Sequence, residues 1–343
     1  MIQVICVEEA VGKALAHDVT EIRPGEFKGP AFRRGHIMRT EDIEHLRRLG
    51  KEHVYILEPT PNQVHEDDAA VGIASALCGE GVCWKGAPRE GKISLQAARD
   101  GLLKIDVAAL CRFNELGEVM CATRHTNTLV LKGDKVGATR AIPLLIDHSI
   151  VEEAVTVAQQ SAGVLRVLPL RQVKAGILIT GNEVYHGRIE DRFEPIIRRK
   201  VEALNGIIMD VAFLPDDDEQ IAACALEFID RGAEILITTG GMSVDPDDRT
   251  RFGLLKAGAL DMLYGSAVLP GAMFMIAKLK DVPVLGIPAC GLFAQTTIFD
   301  LIYPRILAGD SITRKDLAVL GHGGLCLKCD PCRFPNCPFG KAS

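Results

Sequence analysis

The chain has no basic excess. Its 39 lysines and arginines face 45 aspartates and glutamates, for a formal net charge of −6 over 343 residues. That balance argues against a general nucleic-acid binder, which carries a surplus of positive charge. No apolar run is long enough to span a bilayer, and Met1-Ile2-Gln3-Val4 lacks the charged stretch and apolar stretch of a leader. The expectation is a cytoplasmic protein with neither a membrane nor a nucleic acid as partner. Internal repeats and low-complexity runs are also lacking. The length allows two or three domains, and 48% hydrophobic content supports real cores. Eleven cysteines are many for a reducing compartment, where thiols rarely pair. Seven are scattered, and four crowd into the last eighteen residues.

Four segments can be read: 1–60, 61–172, 173–310 and 321–343. In the first, Thr40 is placed to cap a helix carrying the stripe Ile43, Leu46 and Leu49. Gly50 ends that helix, and His53-Val54-Tyr55-Ile56-Leu57 reads as a strand before a linker marked by Pro59 and Pro61. The second segment reads as helices over 69–77, 94–103 and 149–161. Strands over 118–123, 128–131 and 139–146 join them, with Lys132-Gly133-Asp134 as one turn. This is α+β without βαβ alternation, and it holds no catalytic constellation. Trp84, Cys78 and Cys83 read as core or loop residues.

The third segment changes character. Apolar strands (175–180, 207–214, 234–238, 283–287) alternate with helices (194–204, 217–230, 292–307). Strands apolar throughout imply a mainly parallel sheet covered on both faces, with ligands at the carboxyl ends of the strands. The expected fold is therefore α/β. A three-layer, mainly parallel sheet domain is preceded by smaller α+β segments and followed by a Cys-rich metal-binding tail.

The loops at those strand ends are Thr180-Gly181-Asn182-Glu183, Pro215-Asp216-Asp217-Asp218, Thr239-Gly240-Gly241-Met242-Ser243 and Ile287-Pro288-Ala289-Cys290-Gly291. Glycines let a backbone approach a ligand closely, and a helix start offers unpaired N–H groups to an anion. Asp245, Asp247 and Asp248 follow the glycine pair. Carboxylates there would repel a bare phosphate, so they call for a divalent metal between acid and ligand. Taken singly, 216–218 are good helix caps, Glu183 is a solvated loop residue and Gly240-Gly241 is a turn. Caps explain one acidic loop well and three together poorly.

In order and spacing, these loops and Leu269-Pro270-Gly271 resemble the molybdopterin-binding domain shared by MoeA-type molybdopterin molybdenumtransferases and MogA-type adenylyltransferases. The resemblance covers about 174–307. The opening run Val7-Glu8-Glu9-Ala10-Val11-Gly12, on to Val19, resembles the opening of MoeA-type proteins, and Phe32-Arg33-Arg34-Gly35-His36-Ile37 through Val54-Tyr55 resembles the segment that leads into their binding domain. Two features depart. The acidic, Asn- and Met-containing signature of the MoeA N-terminal region is not found, residues 62–170 standing in its place. The Asn of the Gly-Leu-Pro-Gly-Asn-Pro pattern is here Cys290.

The resemblance implies roles residue by residue. Thr239, Gly240, Gly241 and Ser243 would cradle the pterin phosphate, Pro270 and Gly271 would shape the other wall, and Thr180, Gly181 and Pro288 would also bind the cofactor. Glu183, Asp217 and Asp248 match the acidic positions that hold Mg²⁺ against the pyrophosphate of adenylylated molybdopterin and admit molybdate, with Asp216 and Asp245 as second choices. The products would be molybdenum cofactor and AMP. A homodimer is implied, and a molybdoenzyme or another cofactor-biosynthesis protein would be the protein partner.

The tail Cys326-Leu327-Lys328-Cys329-Asp330-Pro331-Cys332-Arg333-Phe334-Pro335-Asn336-Cys337-Pro338 has two overlapping C-x-x-C units and a fourth Cys followed by Pro. Such spacing is a metal signal. Cys326, Cys329, Cys332 and Cys337 suit an iron–sulfur cluster, with one gap a residue longer than the ferredoxin run, or a Zn²⁺ site. Three functions stay open. One is an enzyme inserting molybdate or tungstate into molybdopterin, which the three acidic loops favour. One is a non-catalytic carrier or sensor of the cofactor, favoured by the missing N-terminal signature and the extra tail. One is a competence-damage-type nucleotide enzyme on the same domain, which nothing requires.

Overall fold

A computed structural model describes residues 2–57, 61–160, 162–242, 245, 246 and 248–341. The chain divides into two compact units: residues 1–126 with 130–167, and residues 127–129 with 168–343. No helix among the described residues is long and apolar enough to cross a membrane.

In the first unit the strand Ile2–Cys6 pairs antiparallel with His53–Leu57, and the hairpin Val19–Arg23 with Phe27–Phe32 lies between them in sequence. Leu15, Met38 and Leu46 are fully buried at the centre of this part. The remainder sets the helices Glu66–Leu77 and His148–Gln160 with a four-stranded antiparallel sheet of Val82–Trp84, Lys92–Ala97, Lys135–Ala141 and Val119–Thr123, in that order. Ile73, Leu77, Leu95, Phe113 and Val136 have no exposed surface.

The second unit is built on one six-stranded sheet. Its strands are β1 (Lys174–Thr180), β2 (Ile207–Leu214), β3 (Ile235–Thr239), β4 (Leu260–Tyr264), β5 (Met275–Leu279) and β6 (Val282–Ile287), in the spatial order β2-β1-β3-β6-β5-β4. β1 runs parallel to β2 and β3, and β3 parallel to β6. β5 runs antiparallel to β6 and to β4. The helices flanking the sheet are α1 (Phe193–Glu202), α2 (Asp218–Asp230), α3 (Thr250–Lys256) and α4 (Ile298–Leu307), and the shorter helices Asn182–Tyr185 and Arg314–Val319 complete the set among the described residues.

Alternation along the strands explains why both faces need cover. Ile177, Ile179, Ile237 and Leu285 share one buried cluster with Ile197 of α1 and Phe299 and Tyr303 of α4. Leu178, Leu236 and Val284 point the other way, into a cluster with Phe228 of α2 and Leu254 of α3. Each such aliphatic side chain contributes roughly 1.5–3 kcal/mol of transfer free energy. Gly176 is required by this packing, because a Cβ there would lie 2.5 Å from Cδ2 of Phe228. From β1 the chain moves to β2 on one side, then returns to β3 on the other. The loops after β1 and β3 therefore diverge and open a crevice at the switch point.

Several expectations need correction. The sheet is mainly parallel, as expected, but β5 runs against its neighbours, so that β4 and β5 add an antiparallel-paired edge that was not anticipated. Residues 94–103 are not helical. They fall in the strands Lys92–Ala97 and Gly101–Ile105, where Ile93, Leu95 and Ala97 alternate in burial with Lys92, Ser94 and Gln96. That is the period-two pattern of a half-buried strand. The helix expected over 292–307 starts only at Ile298. Thr297 and Asp300 form a reciprocal capping box that fixes its first turn, and Ala289–Leu292 is a separate 3₁₀ turn. Thr40 does not cap the helix Asp42–Arg48. The Asp42 carboxylate instead accepts from the Arg39 amide at 2.9 Å.

Glu66 begins the helix Glu66–Leu77 and is 7% exposed. Its Oε2 lies 2.9 Å from where a Cβ on Gly91 would sit. Burial pushes its carboxyl from 4.5 up to about 7, the Asp67 charge adding to the rise and Arg140 opposing it. The folded state thus prefers the protonated acid. Glu66 contributes full stability below about pH 4.5, and that contribution is lost as pH rises through about 7. Urea unfolding of the wild type and Glu66→Gln across this window should show their difference in stability changing by up to about 3 kcal/mol. A difference that stays constant with pH would reject the assignment.

Candidate functional site

β1 and β3 end side by side, with Ile179 opposite Thr239. Two buried hydroxyls tie these ends to α3. Thr180 Oγ1 and Thr250 Oγ1 share a 2.7 Å hydrogen bond. Thr180 Oγ1 also lies 3.2 Å from the Thr239 carbonyl, and Thr250 Oγ1 lies 3.1 Å from that of Gly240. The approach is so close that only glycine fits: a Cβ on Gly240 would sit 1.9 Å from the Thr180 carbonyl oxygen, and its φ is +85°. Gly241, with φ +50°, is confined in the same way by Thr250 Oγ1 at 2.5 Å. Met242 then turns inward, 4% exposed, against Gly286 of β6. Tyr264 Oη of β4 donates to its carbonyl at 2.7 Å.

The crevice opens into a cavity of about 1130 Å³. Its second wall is the Leu269-Pro270-Gly271 loop, which is tied down twice. Ser266 Oγ donates to the Gly271 carbonyl at 2.9 Å. Gly271, with φ +131°, leaves no room for a Cβ, which would lie 2.6 Å from Cγ2 of Ile298. A third wall is the 3₁₀ turn after β6, with Pro288 and Cys290; burial pushes the Cys290 thiol up.

The expected residues separate into groups. Thr180, Gly240, Gly241, Pro270, Gly271 and Pro288 line the cavity, as do Glu183 and Asp248. Glu183 stands on the single helical turn Asn182–Tyr185, directly after β1. Gly181, with φ +138°, and Thr239, fully buried, are outside the described lining. Ser243 lies outside the described residues, as does Asp247. Asp217 stands apart. Among the described residues it is not part of the lining, and its Oδ1 accepts from the Gln220 amide at 2.9 Å, capping α2. Helix capping suffices for it, because Asp is a preferred N-cap next to a positive helix end. Asp216 is equally local: its Oδ2 accepts from the Asn182 amide at 2.9 Å, bracing the β1 loop against the β2 loop.

Four charged lining residues escaped the sequence: Glu190, Asp191, Arg192 and Lys328. Asp191 accepts from the Phe193 and Glu194 amides and starts α1. Its position just ahead of a helical pattern was the available signal. Arg192 and Lys328 are the cations, and nothing in their local sequence distinguishes them from surface charges. The described lining thus carries four carboxylates (Glu183, Glu190, Asp191, Asp248) against two cations (Arg192, Lys328), over a largely apolar floor that includes Ile179, Val184 and Leu292.

Lys328 reaches this cavity because the tail is not loose. The Leu269 amide donates to the Gly324 carbonyl at 2.9 Å, and the Cys326 amide to the Leu269 carbonyl at 2.8 Å. Leu325 thereby runs parallel to the second wall. Cys326, Cys329, Cys332 and Cys337 are free thiols. As they stand, no three His, Cys, Asp or Glu side chains among the described residues are arranged to hold a metal ion.

Residues 176–308 match the model of a probable molybdopterin binding domain, and residues 4–58 match a domain of unknown function. The molybdopterin molybdenumtransferase of Haemophilus influenzae is 29% identical over 153 residues, 43% of this chain and 37% of that protein. That of Synechococcus elongatus is 27% identical over 156 residues, 43% of this chain and 39% of that protein. The chain therefore spans less than two fifths of the length of these curated relatives. The molybdopterin biosynthesis enzyme MoaB of Thermus thermophilus aligns with a TM-score of 0.35 at 19% identity, over 41% of this chain and all of that one. Residues 176–308 are thus a domain of the molybdopterin-binding type, homologous at modest identity to molybdopterin molybdenumtransferases.

The strand-end geometry makes a steric demand that can be measured. Gly240→Ala should cost about 3 kcal/mol or more in urea unfolding, from backbone strain plus overlap with Thr180. Gly187→Ala is the control: its φ is +68° but nothing lies within 4 Å of a Cβ there, so only about 1 kcal/mol is expected. Equal losses would show that φ alone, not the close approach, selects glycine at 240.

Proposed function

We propose that this protein binds adenylylated molybdopterin in the cavity at the ends of β1, β3 and β6 and inserts molybdate into it, releasing AMP. One observation carries the reading. Four of the five motifs that resemble the molybdopterin-binding domain, all but Pro215-Asp216-Asp217, come together around one cavity large enough for a pterin nucleotide, with Glu183 and Asp248 on its lining. The electrostatics agree. An anionic ligand in a cavity with four carboxylates and two cations needs added positive charge. Hard carboxylate oxygens suit Mg²⁺, so Glu183 and Asp248 are the residues to hold it. When bound, the ion would supply charge neutralisation at the phosphoryl oxygens.

The chain's own residues do the rest. Arg192 and Lys328 bind phosphate oxygens as fixed cations. Leu269, Leu292 and Leu325 give apolar walls that exclude water and strengthen those contacts. The Thr180–Thr250 hydrogen bond keeps the β1 and β3 loops at a set spacing. Asp217 orients the start of α2. The second reading, a carrier that holds the finished cofactor without turning it over, draws on two observations: the helix cap made by Asp217 and the cysteine at position 290.

Single-turnover release of AMP from adenylylated molybdopterin with Mg²⁺ and molybdate tests the reading. Glu183→Gln and Asp248→Asn should each slow release by about 100-fold or more. Asp217→Asn, which retains a capping side chain, should stay within about twofold of the wild type. Tight ligand binding without any AMP release by the wild-type protein would reject the enzyme and leave the carrier. A loss in Asp217→Asn as large as in the other two would return that residue to the machinery.

A further inference from the structure

The geometry points to a second site: Cys326, Cys329, Cys332 and Cys337 form a tetrathiolate centre for one thiophilic metal ion, and this centre clamps the tail against the cavity wall. The inference does not depend on which ligand the large cavity takes.

Four of the eleven cysteines fall within the twelve residues 326–337, and all four line one small cavity of about 40 Å³. Twelve residues of irregular chain have many ways to scatter their thiols. That all four meet one void is therefore informative. About 10–15 Å³ is enough to hold a water, so the void has room for one ion between its sulfurs. The frame around it is firm. Cys326, Cys337 and Phe334 pack against the core of the second unit, and Phe339 is 2% exposed. Thr296, itself buried, lies with its Oγ1 3.7 Å from Cys332 Sγ, in place to donate to a thiolate. Arg333 lines the same void and offsets the negative charge of a four-thiolate site.

The turn between the first two cysteines carries strain that a metal would justify. Lys328 has φ +52°, a left-handed conformation that a lysine adopts only when its surroundings impose it. Cys329 and Cys332 are the exposed members of the four. Their side chains can rotate inward on a fixed frame. Binding converts four thiols and one M²⁺ into a tetrathiolate complex and releases four protons to solvent, with no change of oxidation state.

The link to the large cavity is direct. Leu325, Cys326 and Lys328 line it as well, and the hydrogen bonds at Gly324 and Cys326 hold this strand to Leu269. A metal on Cys326 and Cys329 fixes both ends of the segment that presents Lys328. Without the metal, the segment is held by those two hydrogen bonds and by the packing of Cys326.

The test uses the full chain purified anaerobically, with metal and acid-labile sulfide analysis and hydrogen exchange at the Leu269 and Cys326 amides. About one zinc or iron per chain, without acid-labile sulfide, is expected. It should be absent from Cys329→Ser/Cys332→Ser and retained in Cys111→Ser, which alters an exposed thiol of the first unit. Chelation of the wild type should speed exchange at both amides by about tenfold or more. The double variant replaces exposed side chains, and an unchanged far-UV spectrum would show that it folds. Three results would each overturn the proposal. One is a chain that takes up neither Zn²⁺ nor Fe²⁺ on reconstitution. The second is a double variant that keeps its metal. The third is several irons per chain with matching sulfide, which replaces the single ion by a cluster. Unchanged exchange after chelation would separate the metal from the cavity wall and overturn the clamp.

Discussion

Everything at the cavity depends on one close approach, that of the β3 end to the β1 end. The Gly240 backbone sits where a Cβ would meet the Thr180 carbonyl at 1.9 Å, and the hydroxyls of Thr180 and Thr250 bridge the same gap. Buried hydroxyls left unpaired are costly, and paired ones in a low-dielectric interior are strong and directional. The pair therefore fixes three things together: the spacing of the two strand ends, the start of α3, and the path of the chain through Gly241 and Met242. The loop after β3 must leave the sheet upward and away from the loop after β1. A crevice follows from that divergence.

The other walls are set by the same device, a glycine pressed against a neighbour. Gly271 lies against Ile298 at the start of α4, and Gly286 against Met242. Glycines that the sequence offers as ligand cradles thus have a structural reason first. Their lack of side chains shapes the cavity by allowing backbone and core to meet. Recognition falls to what remains around them: carboxylates at 183 and 248, cations at 192 and 328, and apolar walls. The tail contributes to this set through Lys328 and Leu325, which links a segment beyond the matched domain to the site within it.

Much of the second unit was legible. Apolar strands alternating with helices announced a covered sheet, and the strand ends β1, β2, β3 and β6 fall within a residue or two of their expected places. The failures have physical causes. β4 and β5 form the antiparallel edge, where the Leu260–Tyr264 strand is partly exposed and mixes Asp with apolar residues. Residues 94–103 carry apolar positions compatible with either period, and only cross-strand pairing chose the strand. Asp217 satisfied a motif and a helix cap equally well on paper, and only the fold shows its Oδ1 accepting from the Gln220 amide away from the cavity lining. Arg192 and Lys328 were invisible because a cation near a cavity looks like any other cation until the chain is folded.

The sequence by itself determined the periodicities, the glycine and threonine positions at the strand ends, and the cysteine spacing of the tail, because these are local properties of backbone conformation and side-chain type. Tertiary structure alone decided which charges share a cavity, which acid spends itself on a helix, and that Leu325 lies along Leu269. Those facts depend on distances between residues far apart in the chain. Sheet order and close packing set them, and no short stretch of sequence contains them.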